Sequence, residues 1–180
     1  YQKEMHNLDI LFINPGNASG IYQDLAKDYS AVEPPTWALL LAEAVRNKGY
    51  KPSILDINAE RLSNEEAFKK IEDYNPKLIC FVVYGQNVNA GTVGMSGAVK
   101  LSNLLKEKGV KTPISYVGSY IQAVPLKCLE EEPSIDFGFT NEGVYSILNV
   151  LSQPKIDINN LGHINGIVWR DKGKPTMSYS

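Results

Sequence analysis

Four short stretches hold the residues that could do chemistry in this chain. They are Asn14-Pro15-Gly16, Tyr84-Gly85-Gln86-Asn87, Gly118-Ser119-Tyr120 and Thr140-Asn141-Glu142-Gly143. Each breaks an apolar run with glycine and with side chains that donate or accept hydrogen bonds. Glycine lets backbone come close to a ligand, and amide and hydroxyl groups bond amides or phosphates. None of the four carries a nucleophile beside a base, so the pattern points to a binding platform and not to catalysis. A fifth feature is the small-residue run Gly91, Gly94, Gly97 and Ala98 at the start of a helical stretch. Each glycine costs a helix about 1 kcal/mol relative to alanine. Either close helix–sheet packing or an inserted ligand arm accounts for that cost.

The familiar signatures are missing. No G-x-G-x-x-G follows the first strand and no G-x-x-x-x-G-K-[ST] loop exists, so neither a dinucleotide nor an NTP site is supported. The third strand does not end in Asp, which argues against a phospho-accepting receiver. His6 and His163 are the only histidines, and both fall outside the strand–helix core, where a surface role is expected. Cys80 and Cys128 are too few and too far apart for a metal site, and both are expected to be reduced core residues. With 18 basic and 20 acidic residues the net charge is -2, so nothing favours nucleic acid or a membrane surface. No apolar run approaches the roughly 20 residues of a membrane span. Tyr1 to Asp9 has no signal-peptide core. A cytoplasmic location is expected. The chain opens on Tyr1, which reads as an excised or processed piece.

These breaks are placed by an alternating pattern of strands and helices. Within Lys77 to Tyr84, Leu78 to Val83 form a continuous apolar run, expected of a central strand covered on both faces. Leu8 to Asn14, Lys51 to Ile57, Ile114 to Val117 and Ile135 to Phe139 read as the other four strands. Between them come helices. Pro35 opens one in which Trp37, Leu40, Leu41, Ala44 and Val45 repeat at helical spacing. Asn64 caps the next, then one runs from about Thr92 to Lys108. The last two are Val124 to Glu132 and Val144 to Leu151. Five such units predict an α/β, flavodoxin-like (Rossmann-like) doubly wound, five-stranded parallel sheet of order 2-1-3-4-5. All four polar breaks then fall on its carboxyl edge, where ligands of such sheets bind. The connection from Asn14 to Glu33 is far longer than the two to six residues usual there. Ile164 to Arg170 and Pro175 to Tyr179 read as a β-hairpin outside the alternation. The expected division is a domain over 1–152 and a linker with hairpin over 153–180.

One series of motifs runs Val117-Gly118-Ser119-Tyr120, Pro125, Leu129-Glu130-Glu131-Glu132-Pro133-Ser134-Ile135-Asp136-Phe137 and Asn141-Glu142-Gly143. Beside it stand Pro34-Pro35-Thr36-Trp37-Ala38-Leu39-Leu40-Leu41-Ala42, Asn14-Pro15, Asp56-Ile57 and Gly166-Ile167-Val168 with Arg170-Asp171. Together these resemble the cobalamin-binding domains that precede radical SAM domains. The resemblance spans nearly the whole chain. It implies a domain that binds cobalamin and presents it to a radical SAM domain of the same polypeptide, with methyl transfer as the expected chemistry. S-adenosylmethionine and a 4Fe-4S cluster would belong to that other domain. The family's D-x-H-x-x-G is not matched after the first strand, which implies base-off cobalamin without a protein histidine. Ser119 and Asn141 stand where the family has glycine.

The residues expected at the cofactor are Asn14, Gly16, Tyr84, Gly85, Gln86, Asn87, Gly94, Gly97, Gly118, Ser119, Tyr120, Asn141, Glu142 and Gly143. Tyr84 and Tyr120 would pack on the corrin. Gly91, Gly94 and Gly97 would make room for the nucleotide tail. No catalytic or metal-ligating residue is expected. Two alternatives stay open. One is a flavin mononucleotide domain with Gly16-Asn17-Ala18-Ser19-Gly20 as phosphate loop, and the other is a cofactor-free interaction module of the same fold.

Overall fold

A computed structural model describes residues 6–16, 34–84 and 88–178. Its backbone forms one sheet of seven strands in the order β2-β1-β3-β4-β5-β6-β7. The strands are β1 (Leu8–Asn14), β2 (Pro52–Asp56), β3 (Pro76–Val83), β4 (Ile114–Gly118), β5 (Phe137–Phe139), β6 (Ile167–Asp171) and β7 (Lys174–Met177). The first five are parallel and follow the expected order 2-1-3-4-5. The sheet has seven strands where five were expected, because the terminal hairpin joins it. β6 pairs antiparallel with β5 through Gly138↔Val168 and Phe139↔Ile167, and β7 pairs antiparallel with β6. The hairpin turns on Lys172 and Gly173, both at positive φ (49° and 81°), the geometry of a type I′ turn.

Seven helices accompany the strands among the described residues. They are α1 (Thr36–Arg46), α2 (Ile57–Glu60), α3 (Asn64–Tyr74), α4 (Val88–Glu107), α5 (Ser119–Ala123), α6 (Pro125–Glu131) and α7 (Val144–Leu151). The single helix expected over Val124 to Glu132 begins earlier in the chain as a separate turn. Gly118 and Ser119 start α5 directly from β4, and Pro125 restarts the chain as α6. The cap of α3 is Ser63 and not Asn64. Ser63 Oγ accepts from Glu66 N–H, and Glu66 returns the bond to Ser63 N–H. That reciprocal pair is the S-x-x-E capping box.

The two faces of the sheet carry two cores. In β3, Leu78, Cys80 and Val82 point to one face and Ile79, Phe81 and Val83 to the other, all buried. This is why the run shows no polar alternation. The first face is covered by α1 and α7 and by the segment Ile156, Leu161 and Ile164, with Trp169 from β6. The second face is covered by α2, α3, α4 and the α5–α6 pair. α1 turns Ala38, Leu41, Ala42 and Val45 inward. Trp37 and Leu40, expected on that inner stripe, are 42% and 57% exposed. At 100° per residue Trp37 lies about 40° beyond the edge of the buried arc, and Leu40 about 100° beyond it, on the solvent side.

The carboxyl end of the hairpin strand β6 is tied into the second face. The Arg170 guanidinium donates to the carbonyls of Ile135 (2.5 Å), Leu129 (2.8 Å) and Glu132 (3.1 Å). These include the unsatisfied carbonyls at the end of α6. Asp136, just before β5, accepts from Lys106 Nζ and from Ile114 N–H, each at 2.8 Å.

Candidate functional site

The strand order reverses between β1 and β3, because the chain leaves β1 towards β2 on one side and later builds β4 and β5 on the other. The crevice at such a reversal, above the carboxyl ends, is the expected ligand position. Asn14, Pro15 and Gly16 stand at the end of β1, and Tyr84 at the end of β3. Asn14 Nδ2 donates to Asp56 Oδ1 at 3.0 Å, and the same oxygen accepts Ala59 N–H at 3.0 Å as the cap of α2. The ends of β1 and β2 are thereby locked together. A Cβ on Gly16 would lie 3.1 Å from Ile57 Cγ2, so this turn is already close-packed.

Gly94 of α4 faces the same crevice. A Cβ built there would meet Val83 Cγ1 at 3.6 Å and Pro15 Cγ at 4.0 Å, which is ordinary contact. The glycine is therefore not demanded by the protein's own packing at that point. Gly97 lies one turn on and is half-buried, like Gly94. The helix thus presents bare backbone to the top of β1 and β3.

The glycines elsewhere at this edge have internal causes. Gly118 has φ +143°, and a Cβ would sit 2.0 Å from the Val83 carbonyl oxygen. Its own neighbouring strand excludes every side chain there. Gly143 has φ +87° at the N-terminus of α7, with Val117 Cγ2 at 3.1 Å and Ile147 Cδ1 at 3.3 Å from a built Cβ.

Along the first face a chain of contacts joins three strand ends. The rings of Trp37 and Tyr84 stack, with centroids 4.6 Å apart and planes 23° from parallel. Gln122 Nε2 donates to the Tyr84 hydroxyl at 3.2 Å and to the Asn141 carbonyl at 2.8 Å. Asn141 Oδ1 accepts Gly143 N–H at 2.8 Å, closing an Asx turn. Partial burial pushes the Tyr84 phenol pKa up, the bond from Gln122 offsetting part of the rise.

The structure therefore brings Asn14, Gly16, Tyr84, Gly94, Gly118, Asn141 and Gly143 to one edge. Ser119 and Glu142 are exposed at that edge. Tyr120 is placed apart from Tyr84: it packs into the second core, on the opposite face of the sheet. Gly85, Gln86 and Asn87, and all of the flavin phosphate loop except Gly16, lie outside the described residues. Trp37 and Gln122 were not among the expected site residues. Trp37 reads from spacing as one more core position of α1, and Gln122 carries no motif. His6 and His163 are both exposed. Cys80 and Cys128 are buried free thiols on opposite faces. Among the described residues no cluster of His, Cys, Asp and Glu could hold a metal ion, and no helix is long and apolar enough to cross a membrane.

Solved structures share this fold. The radical S-adenosylmethionine methyltransferase TsrM from Kitasatospora setae, with cobalamin and a 4Fe-4S cluster bound, matches 97% of this chain at TM-score 0.72 and 14% identity. The same enzyme with tryptophan substrate and the SAM analogue aza-SAM matches 94% at TM-score 0.66 and 14% identity. The cobalamin-dependent S-adenosylmethionine radical enzyme OxsB, in its apo form, matches 95% at TM-score 0.58 and 17% identity. At these identities the likeness is one of fold. The chain spans only 31%, 30% and 22% of those three proteins. No curated protein sequence matches significantly. The family model for the B12 binding domain matches residues 23–151, most of the chain including β2 to β5. The strand order and this match agree: the chain belongs to the B12-binding domain family.

Proposed function

We propose that the domain holds cobalamin across the carboxyl edge of its sheet, base-off and without a protein histidine. We further propose that residues 153–180 lead on to a radical SAM domain of the same polypeptide, to which the cofactor is presented for methyl transfer. S-adenosylmethionine and a 4Fe-4S cluster would be held by that domain. The observation that carries the binding mode is the bare surface of α4 at Gly94, above Pro15 and Val83, where a methyl group would make ordinary contact and none is present. A nucleotide tail would slide between α4 and the sheet at that point. Amide arms would be met by Asn14, Tyr84, Ser119, Asn141 and Glu142, and by Gln86 and Asn87, which follow β3 in the sequence. The stretch from Asn14 to Glu33 contains no histidine, and His6 precedes β1, at the far end of the sheet. These two facts support the histidine-free reading. Bound cobalamin supplies a cobalt centre able to carry a methyl group, while the protein supplies binding and orientation.

The test is a visible-absorption titration with hydroxocobalamin and methylcobalamin, followed by gel filtration. Retention with a base-off spectrum is expected, as is its loss in Gly94→Leu and Gly97→Leu with the fold intact. A retained base-on spectrum would overturn tail insertion. No retention would overturn cobalamin binding by this chain.

A further inference from the structure

We propose that the Trp37–Tyr84 stack, fixed by Gln122, is the seat for the rim of the corrin ring, and that the Tyr84 hydroxyl offers its proton to an amide carbonyl on that rim. The proposal rests on the cobalamin reading above and names residues for it on the first face of the sheet, away from the tail slot at Gly94.

Three observations carry it. Trp37 remains 42% exposed although Tyr84 covers part of it, so the carboxyl edge keeps a large open indole surface. Exposed aromatic surface costs free energy until something apolar covers it. The stack is also held rigidly. Tyr84 directly follows Val83, which β4 approaches so closely that only Gly118 fits beside it. Lastly, Gln122 uses both Nε2 protons, one on the Tyr84 oxygen and one on Asn141. The phenol therefore accepts from the protein, and no acceptor among the described residues takes its own proton. A hydroxyl that accepts inward and donates outward is set to meet a carbonyl.

The experiment compares two probes on the same chain. They are cobalamin and cobinamide, which keeps the corrin and its amides but lacks the nucleotide tail. Trp37→Ala is expected to weaken both corrinoids by about tenfold or more, with the melting temperature lowered by only a few degrees through loss of the stack. Trp37→Phe should recover most of that loss. Tyr84→Phe is expected to weaken both by about three- to tenfold. Gly94→Leu should weaken cobalamin alone. If Trp37→Ala binds both probes like the wild type, the seat is overturned while the tail-slot arm still reports on the cobalamin reading. If Trp37→Ala weakens cobalamin but not cobinamide, Trp37 touches the tail and the seat is likewise overturned. If the wild-type chain binds neither probe, the cobalamin reading fails and takes the seat with it.

Discussion

Gly118→Ala separates two explanations for a glycine at the carboxyl edge. A glycine kept for a ligand can be replaced in the ligand-free protein at little cost. A glycine kept for the fold cannot. At Gly118 the backbone has φ +143° and ψ −175°, a region that side chains other than hydrogen rarely occupy. Holding alanine there costs about 1–3 kcal/mol from conformation alone. Its Cβ would also lie 2.0 Å from the Val83 oxygen and 2.5 Å from the Val83 carbonyl carbon. Backbone cannot swing aside as a side chain can, so β4 must retreat from β3 by about an ångström and give up the last rung of the ladder, Val83↔Gly118. Overpacking of that kind adds about 1–3 kcal/mol. The expected loss is about 2–6 kcal/mol against a total stability of about 5–15 kcal/mol. Urea unfolding of the ligand-free chain, followed by circular dichroism, measures it as a lower midpoint at unchanged slope. Gly143→Ala is the internal control. Its φ of +87° carries a similar conformational cost, but its neighbours at 3.1 and 3.3 Å are ends of side chains that can shift, so its loss should be smaller, about 1–3 kcal/mol. A loss below about 1 kcal/mol at Gly118 would refute the argument and return that glycine to the ligand.

Two further outcomes follow from the buried polar and thiol groups. Arg170→Met keeps the apolar stem but removes the guanidinium from the Ile135 and Leu129 carbonyls and leaves Glu132 with only the Ile135 N–H. It should cost about 2–4 kcal/mol, read by urea unfolding, and a loss under about 0.5 kcal/mol would mean that water serves those carbonyls equally well. The second outcome concerns pH. Burial pushes the Cys80 thiol up to about 12, with its hydrogen bond to Ser115 offsetting part of the rise, whereas the unfolded thiol ionises near about 8.5. The folded state thus holds a proton that the unfolded state has lost. Stability is full below about pH 8.5 and falls as pH rises towards 12, by up to about 1.4 kcal/mol per pH unit. Urea midpoints measured across that window should decline less steeply in Cys80→Ala, and an identical slope would show that other groups carry the alkaline loss.

Much of the fold was legible because its signals are one-dimensional. The unbroken run of β3 could only be a strand with cover on both sides, and the spacing of the five strand–helix units left one ordinary order for the sheet. The hairpin was legible as a hairpin, but its partner was not. β5 is only three residues long, so nothing in its sequence says that its outer side needs β6. The carboxyl-edge loops were found because glycine and amide residues interrupt apolar runs there. Trp37 was misread for a physical reason. Periodicity reports which residues are apolar at helical spacing, and Trp37 and Leu40 satisfy it while flanking the arc that Ala38, Leu41, Ala42 and Val45 bury. Small alanines mark the close approach of α1 to the sheet, and the large residues beside them are displaced outward. Tyr120 failed in the opposite sense. Its position after Gly118-Ser119 suggested the ligand side, but α5 starts at Ser119, and its rotation carries Tyr120 into the second core.

The added hairpin also decides what the sheet shows to other molecules. Ended at β5, the sheet would expose the bare backbone of Phe137-Gly138-Phe139, a short apolar strand with open hydrogen-bonding groups. Such a margin is a template on which a second chain can add a strand and start aggregation. β6 pairs with it, and Arg170 anchors that pairing to α6. The margin then moves out to β7, Lys174-Pro175-Thr176-Met177, where a charged residue and a proline lacking an N–H make a poor template. The hairpin thus acts as a guard against self-association at this side of the sheet.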